Sequence, residues 1–169
     1  QLINQELSLS PKVFAYPYGE ASNEIVQLLK KLGIKFAFGQ HSGIVHHYSN
    51  PYYMPRFALN ENYGKIERFI FSANAKPLLV ANFSPNIIFL KDNKQPLIQF
   101  DVISNIKENQ LSCYDNSDGS WKDSEINIDN NFRVTLKLKK PFLSGRGRIN
   151  CTAKNNTDWL WFGHQFTVE

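Results

Sequence analysis

The hydrophobic period of this chain changes near residue 76, and that change constrains the fold more than any other feature. Before it, strand-like runs alternate with a helical pattern. Val13–Tyr16 reads as a short buried strand. Ser22 is placed to cap a helix, Glu24 complements the dipole of its first turn, and Ile25, Leu28, Leu29 and Leu32 fall on one apolar face. Lys30 and Lys31 suit the last turn and Gly33 the stop. Ile34–Phe38 predicts a second strand and Tyr53–Leu59 a third. Asn60 is placed to cap a second helix presenting Tyr63, Ile66 and Ile70. Strand, helix, strand, helix argues for βα units and a mostly parallel sheet.

From Pro77 onward the chain offers short runs separated by Asn, Asp, Gly, Ser and Pro. The candidate strands are 78–83, 86–90, 97–103, 110–114, 132–138, 148–153 and 160–167, with turn clusters at 115–119 and 154–158. Short strands at this spacing predict an antiparallel sandwich of immunoglobulin-like type. Trp159, Trp161 and Phe162 fit core and edge packing or a binding platform. The expected fold class is thus α/β plus all-β, with a first unit at 1–76 and a β-sandwich at 77–169.

At 169 residues, with 42% hydrophobic and 14% aromatic content, the chain can bury one ordinary core or two small ones. A net charge of +4 is mild, and the only basic run, Lys137 to Lys140, alternates with Leu138 as a solvated strand face would. No nucleic-acid partner is expected. No apolar run reaches the roughly 18 residues of a membrane span. Cys113 and Cys151, the only cysteines, either bridge or stay as buried thiols, and neither has neighbours at zinc-like spacing.

The candidate site lies where the first strand stops abruptly at Tyr16-Pro17-Tyr18-Gly19. In parallel α/β folds ligands bind beyond the C-terminal ends of strands, and Gly lets backbone approach closely. Phe14-Ala15-Tyr16-Pro17-Tyr18-Gly19-Glu20, Leu32-Gly33, Phe36-Ala37-Phe38-Gly39-Gln40 with Ser42-Gly43, and Met54-Pro55-Arg56-Phe57 occur in one order. Together they resemble the later part of a polysaccharide deacetylase domain of the NodB-homology, carbohydrate esterase type.

The resemblance covers about the first 75 residues and implies the C-terminal half of a distorted (β/α) barrel. The remainder resembles the appended C-terminal domain of some bacterial members. It also implies metal-dependent hydrolysis of N-acetyl groups on aminosugars, with a divalent metal, usually zinc, held by one Asp and two His while a second Asp acts as base. Those motifs lie upstream of the Pro-Tyr-Gly motif in the family and do not occur here, so this chain is expected to bind no metal alone. An N-terminal segment of the same protein, as a second chain, is the expected partner, and a carbohydrate the substrate. Gln1–Leu9 reads as the tail of a helix.

By resemblance, the Tyr18 amide donates to the oxyanion, and Tyr16, Pro17 and Tyr18 line the sugar groove. The unaided alternative is a tight turn with packed rings. Ala15 stands where many members carry an Arg touching the catalytic base. Arg56 either supplies that guanidinium or pairs at the surface with Glu61 or Glu67. The family's late general-acid His has no match at Leu78-Leu79-Val80, leaving His41 as substitute acid or as a hydrogen-bonding loop residue. His46 and His47 sit in a polar loop with Tyr48, Tyr52 and Tyr53. Two other readings stand beside the deacetylase: a non-catalytic carbohydrate-binding or adaptor module using Trp121, Trp159 and Trp161, and a degenerate deacetylase-like protein.

Overall fold

In the first half, strand β1 (Val13–Ala15) lies parallel to β2 (Phe36–Phe38), in register from Val13 opposite Phe36 to Ala15 opposite Phe38. This is a computed structural model, and it describes residues 5, 6 and 8–169. The expected helix tail at 1–9 therefore lies largely outside the described residues.

Helix α1 (Asn23–Lys31) connects the two strands, and the Ser22 side chain accepts from the Ile25 amide as an N-cap should. Gly33, at φ +76°, ends it. The buried residues of α1 are Val26 and Leu29, while Ile25, Leu28 and Leu32 are exposed. Of the apolar face expected from spacing, only Leu29 reaches the core.

The predicted strand at Tyr53–Leu59 does not form. Met54 makes one isolated parallel bridge to Phe38, and the prolines at 51 and 55 deny a longer ladder its donors. Asn60 caps no helix; its Oδ1 accepts from the amides of Asn62 and Tyr63 in a local turn. Helix α2 (Ile66–Asn74) starts later, after Lys65. Ile66 and Ile70 are exposed, and Phe71 packs against Trp159 and Trp161 with ring centroids 5.9 and 5.7 Å apart.

The expected half barrel is therefore overturned. Among the described residues before Lys76, the only sheet is one pair of three-residue strands, and a barrel needs tilted strands paired all round.

Most of the molecule is β. Strands β3 (Lys76–Pro77), β4 (Val80–Ser84), β5 (Phe89–Leu90), β6 (Ile98–Val102), β7 (Leu111–Asp115), β8 (Lys122–Asp123), β9 (Glu125–Ile128), β10 (Arg133–Lys137), β11 (Gly145–Asn155) and β12 (Asp158–Val168) form two sheets. One runs β4-β6-β10-β9; the other runs β3-β12-β11-β7-β8, with β5 also on β12.

The immunoglobulin-like antiparallel expectation fails on two points. Strands β3 and β5 join β12 in parallel, so the larger sheet is mixed. The disulfide of an immunoglobulin domain spans its two sheets. Here Cys113 and Cys151 face each other on adjacent strands of one sheet, bridged, with Cα atoms 4.1 Å apart.

The core lies between the sheets. Ile98, Phe100, Val102, Val134 and Leu136 from one meet Ile149, Cys151, Ala153, Phe166 and Val168 from the other. Each set comes from alternate positions, as a period of two requires. The bridge closes a loop of sequence separation 38. Loop-closure entropy assigns a loop of that size about 3–4 kcal/mol. The double variant Cys113→Ser/Cys151→Ser should lose about 2–4 kcal/mol of unfolding free energy in urea titration; an unchanged midpoint and slope would show that the bridge adds no stability.

Candidate functional site

Beyond β1 the chain makes a 3-10 turn at Pro17–Gly19 that leaves Tyr18 at φ +56° and Gly19 at φ +73°. The Gly19 backbone presses on the next strand's loop: a Cβ there would lie 2.6 Å from both Cβ and N of Gln40. Only glycine fits.

The turn is held from below by strand β12. Gln165, fully buried, donates from Nε2 to the Gly19 carbonyl at 2.8 Å, and the Tyr53 hydroxyl donates to the same oxygen at 3.0 Å. Gln165 Oε1 in turn accepts from Arg148 Nε at 2.8 Å. Thr167, two residues along the same face, accepts from the Ala21 amide and donates to the Ala21 carbonyl, both at 2.9 Å.

Tyr18 is 70% exposed, and Arg146 sits 6.0 Å from its ring centroid. Among the described residues its backbone amide has no hydrogen-bond acceptor. Pro17 beside it is exposed. Tyr16 is placed differently, at 2% exposure, with its hydroxyl donating to the Tyr52 carbonyl at 2.8 Å. Burial pushes that phenol up to about 12, and its ring faces the core, not the groove.

His41 is buried beside Tyr53, ring centroids 4.9 Å apart, with Nδ1 unpaired. Gly39 makes room for it: a Cβ on Gly39 would meet His41 Nδ1 at 2.7 Å. Burial, then the nearby His164 and Arg148, push His41 down to about 3. Its imidazole is therefore neutral at ordinary pH and holds no cationic proton to give. His164, with Nε2 shielded and unpaired between Phe83 and Phe166, is also driven to about 3 by burial.

Arg56 pairs with neither Glu61 nor Glu67. Its Nε donates to the Gly39 carbonyl at 2.8 Å while its amide donates to the His41 carbonyl, so it holds the 39–41 loop. His46 and His47 stay in their loop, with the His47 and Tyr48 ring centroids 3.8 Å apart and the rings tilted by 46°.

A cavity of about 520 Å³ opens at the turn itself, lined by Pro17, Tyr18, Glu20 and Thr167, and two more flank this centre. One, of about 360 Å³, has His41, Tyr53 and His164 in its wall. The other, of about 420 Å³, lies between the outer face of the larger sheet and the segment from Gln40 to Arg68. Trp121 and Trp161 of this second cavity were expected as a binding surface, whereas Arg146, Arg148, Asn150 and Thr152, and Gln165 itself, were not expected from the sequence as site residues. Their one signal was the alternation Arg146-x-Arg148-x-Asn150-x-Thr152, which reads as a solvated strand face.

Among the described residues no three His, Cys, Asp or Glu side chains converge as a metal would require. The described residues do not make a ligand set for the zinc implied by resemblance. No helix among the described residues is long and apolar enough to cross a membrane.

No family model matches the chain. Over 60 residues, 36% of the chain, it is 32% identical to the poly-β-1,6-N-acetyl-D-glucosamine N-deacetylases of Staphylococcus aureus strains MSSA476 and MRSA252. That match spans 21% of their length, so the chain covers about a fifth of the curated relatives it matches. The short local match suggests a deacetylase relationship. Among solved structures, the copper resistance protein PcoC from Escherichia coli aligns at TM-score 0.41 and 14% identity over 54% of this chain and 99% of its own. An endo-β-1,4-mannanase from Thermotoga petrophila aligns at TM-score 0.41 and 15% identity over 99% of this chain and 41% of its own.

Two outcomes follow from this geometry. Gln165→Leu leaves Arg148 Nε without its acceptor and the Gly19 carbonyl with the Tyr53 hydroxyl alone, and should cost about 1–3 kcal/mol in urea unfolding. The buried imidazoles are neutral when folded, whereas the unfolded chain binds protons from pH 6.5 downward. Stability should be complete above that pH and fall toward pH 3 by up to about 1.4 kcal/mol per unit per histidine. His164→Phe should flatten that decline relative to the parent between pH 6.5 and 4.5; equal slopes would refute the assignment.

Proposed function

We propose that this chain supplies one wall of the groove of a carbohydrate N-deacetylase, presenting the Tyr18 amide to the oxyanion that forms as an N-acetyl group is hydrolysed. The observation that carries the reading is the unpaired amide of a left-handed Tyr18 at the end of β1, clamped from beneath through Gly19. The short match to the staphylococcal deacetylases supports it. A pre-oriented backbone donor needs no reorganisation as charge develops, and is worth about 3–4 kcal/mol in acyl-transfer sites. In this reading Pro17 and the Tyr18 ring border the sugar. Tyr16 supports the turn from the core, Arg56 shapes the loop beneath it, and neutral His41 packs without proton transfer.

The divalent metal and its Asp and His ligands belong to a further segment of the same protein. The exposed Val13, Leu28, Leu32 and Phe36 around β1, α1 and β2 give that segment an apolar surface to cover.

Acetate release from N-acetylglucosamine oligomers is the test, using the chain alone and joined to its upstream sequence in the presence of zinc. Turnover is expected only from the joined protein. There, Tyr18→Gly should keep kcat within about tenfold because it keeps the amide and the positive φ. Tyr18→Pro, which removes the amide and, with φ fixed at about −65°, the left-handed turn as well, should lower kcat about 100-fold or more. An inactive joined protein, or equal rates for the two variants, would sink the proposal.

A further inference from the structure

The cavity of about 420 Å³ has a floor built from the outward positions of three neighbouring strands. Arg146, Arg148, Asn150 and Thr152 follow one another at every second residue of β11, Tyr114 lies opposite Asn150 on β7, and Trp161 lies opposite Thr152 on β12. The opposite wall is Gln40, Ser42, Asn60, Tyr63 and Arg68, and Trp121 stands at the mouth, 45% exposed.

Gly163 makes this closure possible. A Cβ there would collide with the Ser42 carbonyl oxygen and lie 2.7 Å from Asn150 Oδ1, so the loop can lie directly on the sheet.

Three guanidinium groups line this space and no carboxylate does. Among the described residues the ion pairs are Lys122 with Asp118 and Arg133 with Asp101, so Arg68, Arg146 and Arg148 all lack an acidic partner. Arg148 is half-buried, and its burial together with the nearby Arg146 lowers its proton affinity. Arg68 Nε and Trp161 Nε1 are shielded from solvent with no acceptor. Partly dehydrated cations and orphaned donors beside one another are costly unless an anion answers them. The remaining lining, of indole and phenol rings with Asn and Thr, is the chemistry that stacks on sugar faces and bonds to hydroxyls.

We infer that this cavity is a binding site for an anionic sugar unit, its carboxylate or phosphate held by Arg146 and Arg148 and its ring laid against Trp121. The site uses residues other than those assigned to hydrolysis, so it stands or falls apart from the deacetylase reading. Three guanidinium groups in a wall without acids also repel a free amine, which makes the site selective against cationic aminosugars.

Calorimetric titration of the 169-residue chain, with tryptophan fluorescence alongside, tests this against glucuronate, glucose 6-phosphate, N-acetylglucosamine, glucosamine and inorganic phosphate. One of the two anionic sugars is expected to bind at least about tenfold tighter than N-acetylglucosamine and inorganic phosphate, the equivalent of one charge-assisted hydrogen bond, and to weaken with added salt. Whichever of the pair binds tighter identifies the anion. Arg146→Gln, at an exposed position, should leave the melting temperature unchanged and reduce affinity about tenfold, and Trp121→Ala should reduce both affinity and the fluorescence change. Equal binding of neutral and anionic sugars would overturn the inference. So would inorganic phosphate matching the sugar phosphate, or a preference undiminished in a folded Arg146→Gln variant.

Discussion

Gln165 joins everything that gives this molecule its site. Its side chain, on the outer face of β12, donates to the Gly19 carbonyl and accepts from Arg148. One amide thus ties the turn after β1 to the sheet and orients a guanidinium of the neighbouring cavity. The Tyr53 hydroxyl completes the clamp by reaching the Gly19 and Gln165 carbonyls at 3.0 and 3.1 Å. A buried amide that satisfies its partners specifies one arrangement, because any shift would leave polar atoms unpaired away from water. The left-handed Tyr18, which would not persist in a free peptide, is held by that network.

The two parts of the chain gain their order by different means. The sandwich buries alternate residues of long neighbouring strands and adds a covalent tie between β7 and β11. The first part has a smaller cluster, around Tyr16, Val26, Leu29, Ala37 and Tyr53. Its short parallel pair would be marginal alone. It is ordered by lying on the outer face of the larger sheet, through Gln165, Thr167 and the close approach at Gly163. That same docking roofs the arginine-lined cavity, so packing and a candidate binding site come from one contact.

Much of the local structure was legible. Ser22 and Gly33 bound α1 because capping is decided by neighbours in sequence, and the alternation in 98–102 and 133–137 marks strands because each needs one buried face. The missed elements have physical reasons. Tyr53–Leu59 has strand-like composition but holds Pro55 within it and follows Pro51. Strands β8 and β9 are short edge strands of two and four residues, too short for a period to stand out, although Ile126 and Ile128 of β9 pack against the core. The stripe Ile25, Leu28 and Leu32 satisfies helical spacing yet is exposed, since spacing says which residues share a face and nothing about what lies opposite.

The chain's order of residues by itself determined the turn after β1, its glycine and the change from helical to strand period. These depend on backbone freedom and side-chain period, which are local. Only the tertiary structure decided that Tyr16 faces the core while Tyr18 faces solvent, that His41 is neutral, that a mixed sheet replaces a barrel half, and that Arg146 and Arg148 meet Arg68 across a cavity. Each of these depends on surfaces brought together from distant parts of the chain, where burial and the absence of a counter-charge set the chemistry.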